Sequence, residues 1–323
     1  MTSVTAAAPP VTARVPAKVN LQLAVGPPRS DGYHDLVTVF HAVSLFDEVT
    51  VSPADRTTVL VSGEGADQVP RGSANLAAKA VTALQRALGR PGRGKSAVRI
   101  EIRKRIPVAA GLAGGSADAA AALLACNELW RAGLSLQELS GIAAGLGSDV
   151  PFALAGGTSI GQGRGEVLTT ALVAGTYHWV LAFAAGALAT PEVYAACDRL
   201  RAARAAASAA ARQVPEPALN TALLAALRSG DAAAVGPLLS NDLQSAAVSL
   251  MPELRRTLSA GREHGALGAM VSGSGPTCAF LAADAERARE LAVSLTGAGV
   301  CRSVVHASGP APGAAILAGR GSA

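Results

Sequence analysis

The stretch Val98–Arg131, VRIEIRKRIPVAAGLAGGSADAAAALLACNELWR, decides how the rest of the chain is read. Val98, Ile100, Ile102, Lys104 and Ile106 alternate with Arg99, Glu101, Arg103 and Arg105, the period of two of a strand with one buried face. The glycine-rich segment Pro107–Ser116 follows. From Asp118 to Arg131, Leu123, Cys126 and Trp130 recur on one helical face, with Gly133 as the stop. Strand, glycine loop and helix in this order can aim backbone N–H groups and the positive end of a helix at a phosphate. The same residues also suit a plain strand-to-helix turn. No Gly-Lys-Ser/Thr closes the segment, so it is not a Walker A loop, and it is not GxGxxG either. Lys104, on an otherwise apolar strand face, needs a reason to be there.

Upstream, Val15–Val25 alternates too, with Lys18, Asn20 and Gln22 sharing the polar face. Gly26–His34, GPPRSDGYH, is turn chemistry, and Leu36–Val51 reads as further strand. Ser73–Leu88 is helical in pattern and ends at Gly89. Downstream, Ser135 and Glu138 form a capping box for a helix reaching Leu146, and Ser148–Pro151, SDVP, opens the next element. Past Thr176 the chain turns to strand, alanine-rich helices and a second glycine loop, Ser272–Pro276, SGSGP. A boundary near Gly175 therefore divides the chain into residues 1–175 and 176–323. The end, from about Ser308, is Gly, Ala and Pro without period and reads as a mobile tail.

Half of the 323 residues are hydrophobic, 16% are charged and the mean hydropathy is +0.33, which excludes a disordered chain. The net charge of +5 comes from scattered arginines with only 3% aromatics, unlike the basic stripe of a nucleic-acid binder. It favours anionic small molecules. Cys126, Cys197, Cys278 and Cys301 are far apart and form no metal spacing, which fits a reducing cytoplasm. Met1–Pro10 has neither a basic start nor an apolar run and reads as a loose tail. Val167–Thr190 lacks charged residues over a bilayer's length, yet its threonines, glycines and the Ala174–Thr176 turn argue for strands instead of a span.

Several residues carry two readings. Asp149 caps a short helix, or it accepts the proton of an attacking hydroxyl. Lys18 is a solvated charge, or it is the ammonium that keeps Asp149 ionised and offsets charge on a transferred phosphoryl group. Tyr33 and His34 decorate a hairpin or recognise a ligand. Tyr194 packs a helix or stacks on a base.

PAKVNLQL, RSDGYHDL, KRIPVAAGLAGGSADAA, GSDVPF and VSGSGPT, in this order across Val15–Phe280, resemble the superfamily of galactokinase, homoserine kinase, mevalonate kinase and phosphomevalonate kinase, the GHMP kinases. The resemblance implies an α+β fold of two domains with the active site in the cleft between them, and ATP with Mg²⁺ as cofactors. It places Lys18 and Asp149 on the catalytic pair, and Pro107, Gly111, Leu112, Ala113, Gly114, Gly115 and Ser116 on the phosphate loop. Asn75 and Lys104 fall near the adenine. PAKxN followed by DGYH is similar to the branch acting on a cytidine-diphosphate-linked methylerythritol of the non-mevalonate isoprenoid route. That likeness puts Asn20, Tyr33, His34, Thr190 and Tyr194 on substrate, with Tyr33 and Tyr194 flanking cytosine. Homoserine- and mevalonate-type kinases, and a nucleotide-binding regulator without turnover, are the alternatives. Ala109, Ala110 and Ala113 stand where glycine is common, from which only altered affinity is expected. No second acidic motif marks a magnesium ligand, and Ser116 is the one candidate.

Overall fold

The computed structural model describes residues 8–90, 96–207 and 214–318. Two long antiparallel strands, β1 (Val11–Pro28) and β2 (His34–Pro53), open the chain and form the spine of the first sheet. β1 alternates as expected, but its polar face is covered as well: Lys18, Asn20 and Gln22 are all buried. A solvated lysine is thereby excluded at position 18.

Next come β3 (Thr58–Gly63), α1 (Leu76–Ala87), β4 (Val98–Lys104) and α2 (Gly114–Leu129). They are followed by α3 (Leu136–Ala144), α4 (Val150–Ala155), β5 (Thr158–Gln162) and β6 (Val167–Thr170). The sheet runs β1-β2-β4-β3, with β5 on the earlier part of β2 and β6 beside β5. β4 keeps the predicted alternation residue by residue, every odd-faced side chain from Val98 to Lys104 buried and every other one exposed. α2 lies against α1 and the two long strands. Its run Ala119–Ala122 is fully buried, and such small side chains let helix and sheet approach closely. The capping box of α3 forms as read, Ser135 accepting from the Glu138 N–H and Glu138 accepting from the Ser135 N–H.

Gly175 falls between β6 and β7 (Tyr177–Phe183), the first strand of a second sheet. The chain continues through α5 (Thr190–Ala207), α6 (Thr221–Ser229), α7 (Ala232–Val235), β8 (Ser240–Asn241), α8 (Gln244–Leu250) and α9 (Glu253–Glu263). It closes with β9 (Gly268–Val271), β10 (Cys278–Ala282), α10 (Ala285–Gly297), β11 (Ser303–Gly309) and β12 (Ala315–Ile316). The second sheet, β11-β7-β10-β9, is antiparallel throughout. The uncharged stretch Val167–Thr190 is mainly β6 and β7, and among the described residues no helix is long and apolar enough to cross a membrane.

The halves are sewn together. β8 pairs in parallel with Gln22 and Leu23, and β12 pairs antiparallel with Ala13 and Arg14. One apolar cluster joins Val19 and Val39 of the first sheet to Trp179 and Leu181 of the second. Each such fully buried side chain contributes about 1.5–3 kcal/mol.

The tail expected to be mobile from Ser308 is a correction. Ser308 and Gly309 end β11, the Ala311 N–H donates to Ala42 O at 2.9 Å, and the Ala314 N–H donates to Ala153 O at 3.0 Å before β12 forms. Backbone hydrogen bonds hold the segment, and its small residues serve close approach: a Cβ on Gly313 would fall 2.1 Å from Leu154 O. Its last residues, 319–323, and the start of the N-terminal tail, residues 1–7, lie outside the described residues.

Candidate active site

Two glycine loops meet where the sheets face each other. The first, Pro107–Ala113, links β4 to α2; the second, Ser272–Pro276, links β9 to β10. Gly111 has φ +73°, and a Cβ there would lie 2.1 Å from Ser272 O, so any side chain would pry the loops apart. Ser272 Oγ donates to Gly111 O at 3.2 Å across the junction. The Lys18 N–H donates to Leu112 O at 3.3 Å, tying the first loop to β1. Ala113 occupies the N-cap of α2 in a left-handed conformation, φ 60° and ψ 31°, and no side chain caps the helix. The first-turn N–H groups of Gly114, Gly115 and Ser116 thus lack a side-chain acceptor, and α2 presents its positive end at the loop.

Lys18 and Asp149 are brought together, Nζ to Oδ2 3.9 Å. Lys18 Nζ also donates to Asn20 Oδ1 at 2.6 Å, and Asn20 Nδ2 donates to Thr38 Oγ1 at 2.8 Å. The ammonium lies 5.4 Å from the Phe40 ring centroid. Burial pulls its pKa below the ordinary lysine value, and Asp149 works in the opposite direction. Asp149 sits at the N-cap of α4 with helical φ and ψ and makes no capping hydrogen bond. Its side chain is 29% exposed. A buried cation beside an accessible carboxylate is a pair suited to receiving a proton while countering anionic charge.

Around this pair stand most of the other expected residues. His34 Nε2 lies 3.0 Å from Asp198 Oδ1, and its ring centroid is 5.1 Å from that of Tyr194. Burial, with Asp149 and Cys197 as lesser contributors, raises the pKa of the Tyr194 phenol. Thr190 Oγ1 and Ser274 Oγ are 2.9 Å apart, joining the start of α5 to the second glycine loop. Tyr33 is 54% exposed on the turn before β2, with the Arg164 guanidinium 5.0 Å from its ring centroid.

Lys104, expected near the adenine, is buried beneath the loop, donating to Asp47 Oδ2 and to Asp118 Oδ2, the latter at 2.8 Å. Burial works against the ammonium, but Asp118 and Asp47 outweigh it and raise its pKa. Asp47 Oδ1 accepts the Arg105 N–H at 2.6 Å and the Ile106 N–H at 2.9 Å, fixing the backbone just before Pro107. Asn75 is likewise buried and engaged, accepting from the Ala77 N–H as cap of α1 and donating to Pro70 O at 2.8 Å. Asp47, Asp118, Thr38, Asp198 and Ser274 went unread in the sequence. Lys104 on an apolar face hinted at the two carboxylates Asp47 and Asp118, since a buried ammonium demands them, and no sequence signal pointed to the other three.

Comparisons with known proteins identify the family. The GHMP kinases N terminal domain matches residues 75–157 and the GHMP kinases C terminal domain residues 223–301. A protein of Nocardia farcinica named 4-diphosphocytidyl-2-C-methyl-D-erythritol kinase is 56% identical over 310 residues, covering 95% of this chain and 96% of its own. One of the same name from Thermobifida fusca is 53% identical over 315 residues, covering 95% and 98%. A crystal structure of a 4-(cytidine 5'-diphospho)-2C-methyl-D-erythritol kinase is 34% identical with a TM-score of 0.72, covering 92% of this chain and 98% of that one. The homoserine kinase of Cytophaga hutchinsonii, 18% identical with a TM-score of 0.70 over 95% and 97%, shares the fold.

Proposed function

The chain belongs to the GHMP kinase family, and within it we propose that it transfers the γ-phosphoryl group of ATP to the 2-hydroxyl of 4-diphosphocytidyl-2-C-methyl-D-erythritol, in non-mevalonate isoprenoid precursor synthesis. As a GHMP kinase it uses ATP as phosphate donor. The observation that carries the reading is the Lys18–Asp149 pair at 3.9 Å in the cleft where both glycine loops meet, with His34 and Tyr194 alongside.

In this reading the uncapped start of α2, from Gly114 to Ser116, receives the phosphates. Asp149 takes the hydroxyl proton as the hydroxyl oxygen bonds to the γ-phosphorus and the bond to the β-phosphate oxygen breaks, leaving ADP. Lys18, beside the Asp149 carboxylate, faces the charge of the phosphoryl group in flight. No phosphoenzyme forms. Asn20 orients Lys18, and Thr190, His34, Tyr194 and Tyr33 bind the substrate, the two tyrosines flanking cytosine.

Magnesium fits as a nucleotide-borne ion. Among the described residues no group of three His, Cys, Asp or Glu side chains could hold a metal, and Ser116, in the first turn of α2, is the candidate side-chain donor. Such an ion, bound chiefly to phosphate oxygens and water, neutralises phosphate charge. Four free cysteines suit a cytoplasmic enzyme.

A substrate panel with coupled ADP detection tests the proposal. Turnover of the cytidine-linked alcohol is expected, with Asp149→Asn lowering kcat by about 10²–10⁴. Turnover of homoserine or mevalonate alone, ATP binding without ADP release, or near-normal kcat in Asp149→Asn would overturn it.

A further inference from the structure

Away from the cleft, α5, α8 and α9 flank a solvent-open hollow of about 450 Å³, where Arg204, Arg255 and Arg262 are exposed. Each helix lends it one stripe: Leu200 and Arg204 from α5, Ser245 and Ser249 from α8, and Arg255, Leu258 and Arg262 from α9. The spacings are i and i+4 on the first two helices and i, i+3 and i+7 on the third, so each set shares a helical face. Three guanidinium groups therefore line one hollow.

Among the described residues none of the three has a carboxylate within 4.0 Å. Residues 208–213, SAAARQ, which follow α5, contain no acidic side chain. Among the described residues other arginines divide between paired ones, such as Arg29 with Asp31 and Asp35 and Arg287 with Glu290, and unpaired ones, such as Arg56, Arg228 and Arg256, so it is the gathering of three in one hollow that marks this place. Like charges gathered without counter-charge cost free energy unless an anion joins them, and guanidinium forks match phosphate oxygens. Ser245 and Ser249 hydroxyls add donors, and Leu200 and Leu258 give an apolar wall. The hollow is larger than a phosphate needs, which leaves room for an organic portion.

The hollow is wired to the cleft. Gln244, also in its lining, accepts the Val271 N–H at 2.9 Å, and Arg262 Nη2 donates to Ala269 O at 3.3 Å. Both hold β9, which runs directly into the loop Ser272–Pro276. That loop meets Gly111 through Ser272 and Thr190 through Ser274. α5 itself begins at Thr190 in the cleft and carries Arg204 in its last turn.

We propose that the α5–α8–α9 hollow binds a small phosphorylated molecule, and that its occupancy changes how the cleft binds the alcohol substrate. The site's existence stands apart from the kinase assignment; its effect on substrate binding rests on that assignment.

Inorganic diphosphate is the probe. Titrated calorimetrically into full-length protein whose ATP site is saturated with a non-hydrolysable analogue, it is expected to bind once per chain. Arg204→Ala combined with Arg255→Ala, with circular dichroism confirming the fold, should weaken that binding at least tenfold. In kinetic assays with ATP saturating, diphosphate should shift KM for the alcohol at least twofold in the native protein and leave it unmoved in the double variant. Absence of a binding event, equal affinity in the double variant, or binding without a KM shift would each overturn the proposal. Because the calorimetric arm needs no turnover, a protein that binds diphosphate here yet makes no ADP would fault the kinase reading alone.

Discussion

Exchanging Asp47 and Asp118 separately for asparagine should give sharply unequal results, although both carboxylates bond the same ammonium. Asp47 is fully buried and accepts three hydrogen bonds, from Lys104 Nζ and from the Arg105 and Ile106 N–H groups. Asp118 accepts from Lys104 through Oδ2 only, and its Oδ1 is buried with no partner. Two carboxylates around one ammonium leave an excess of buried negative charge. Burial first, then Asp47 against the opposing pull of Lys104, raises the Asp118 pKa well above the usual carboxylate range.

Asp118→Asn removes that excess and keeps an acceptor for Lys104, so stability at pH 7 should stay within about 1 kcal/mol of the native protein. Asp47→Asn turns an amide donor toward either the ammonium or the two N–H groups, costing about 3–5 kcal/mol. In urea unfolding, with a slope of about 3 kcal/mol per M, its midpoint should fall by about 1 M or more. The pH dependence has a definite sign. A carboxyl whose folded pKa is raised binds its proton more tightly when folded, so the native protein loses stability as pH climbs from the unfolded value near 3.8 through the raised one. Asp118→Asn should lack that component. A loss of 3 kcal/mol or more in Asp118→Asn, with a mild Asp47→Asn, would refute the reasoning.

Lys18 titrates below the ordinary 10.5 because of burial, so the alkaline fall of kcat/KM should set in below that pH. Lys18→Arg, whose guanidinium stays charged, should remove that limb from whatever activity remains; an unchanged limb would exclude Lys18 as its source. Ala113, at φ 60°, pays about 1–2 kcal/mol for its left-handed backbone. Ala113→Gly relieves this but frees the unfolded chain by about 0.4–1 kcal/mol, so a net gain of about 0.5–1 kcal/mol is expected in denaturant titrations, and a loss would contradict the strain. Asp198→Asn weakens the contact that sets His34 against Tyr194. At about 1 kcal/mol for the bond, KM for the alcohol should rise about fivefold with kcat within twofold, and an unmoved KM would remove His34 from substrate binding.

Much of the fold was legible because long elements repeat. β1, β2 and β4 show their period over enough residues to be read, and the α3 capping box marks its own start. α2 begins at Gly114, earlier than the apolar pattern suggests, because its first turn is built from the loop's own glycines and serine. β8 and β12 have two residues each, too short for any period. Their partners are fixed by backbone hydrogen bonds, which leave no trace in side-chain pattern, and so the segment holding Ala315 and Ile316 was read as loose when it pairs with β1.

The site divides along a similar line. Lys18 and Asn20, two positions apart on a strand, were read as sharing a face, and their side chains meet at 2.6 Å. Asp149 lies 131 positions beyond Lys18, and the residues alone left their pairing as one of two readings, which motif resemblance then favoured; the structure brings them to 3.9 Å and shows no capping bond from Asp149. Lys104 shows what a pattern conveys and what it omits. An ammonium on an apolar face requires a carboxylate, but neither the 57 positions separating it from Asp47 nor the 14 separating it from Asp118 repeats with any structural period. Its burial with two carboxylates makes Lys104 part of the floor that holds Arg105, Ile106 and the start of α2 in register. If the loop above receives phosphates as proposed, that fixed floor keeps its N–H groups aimed without a further mobile cation.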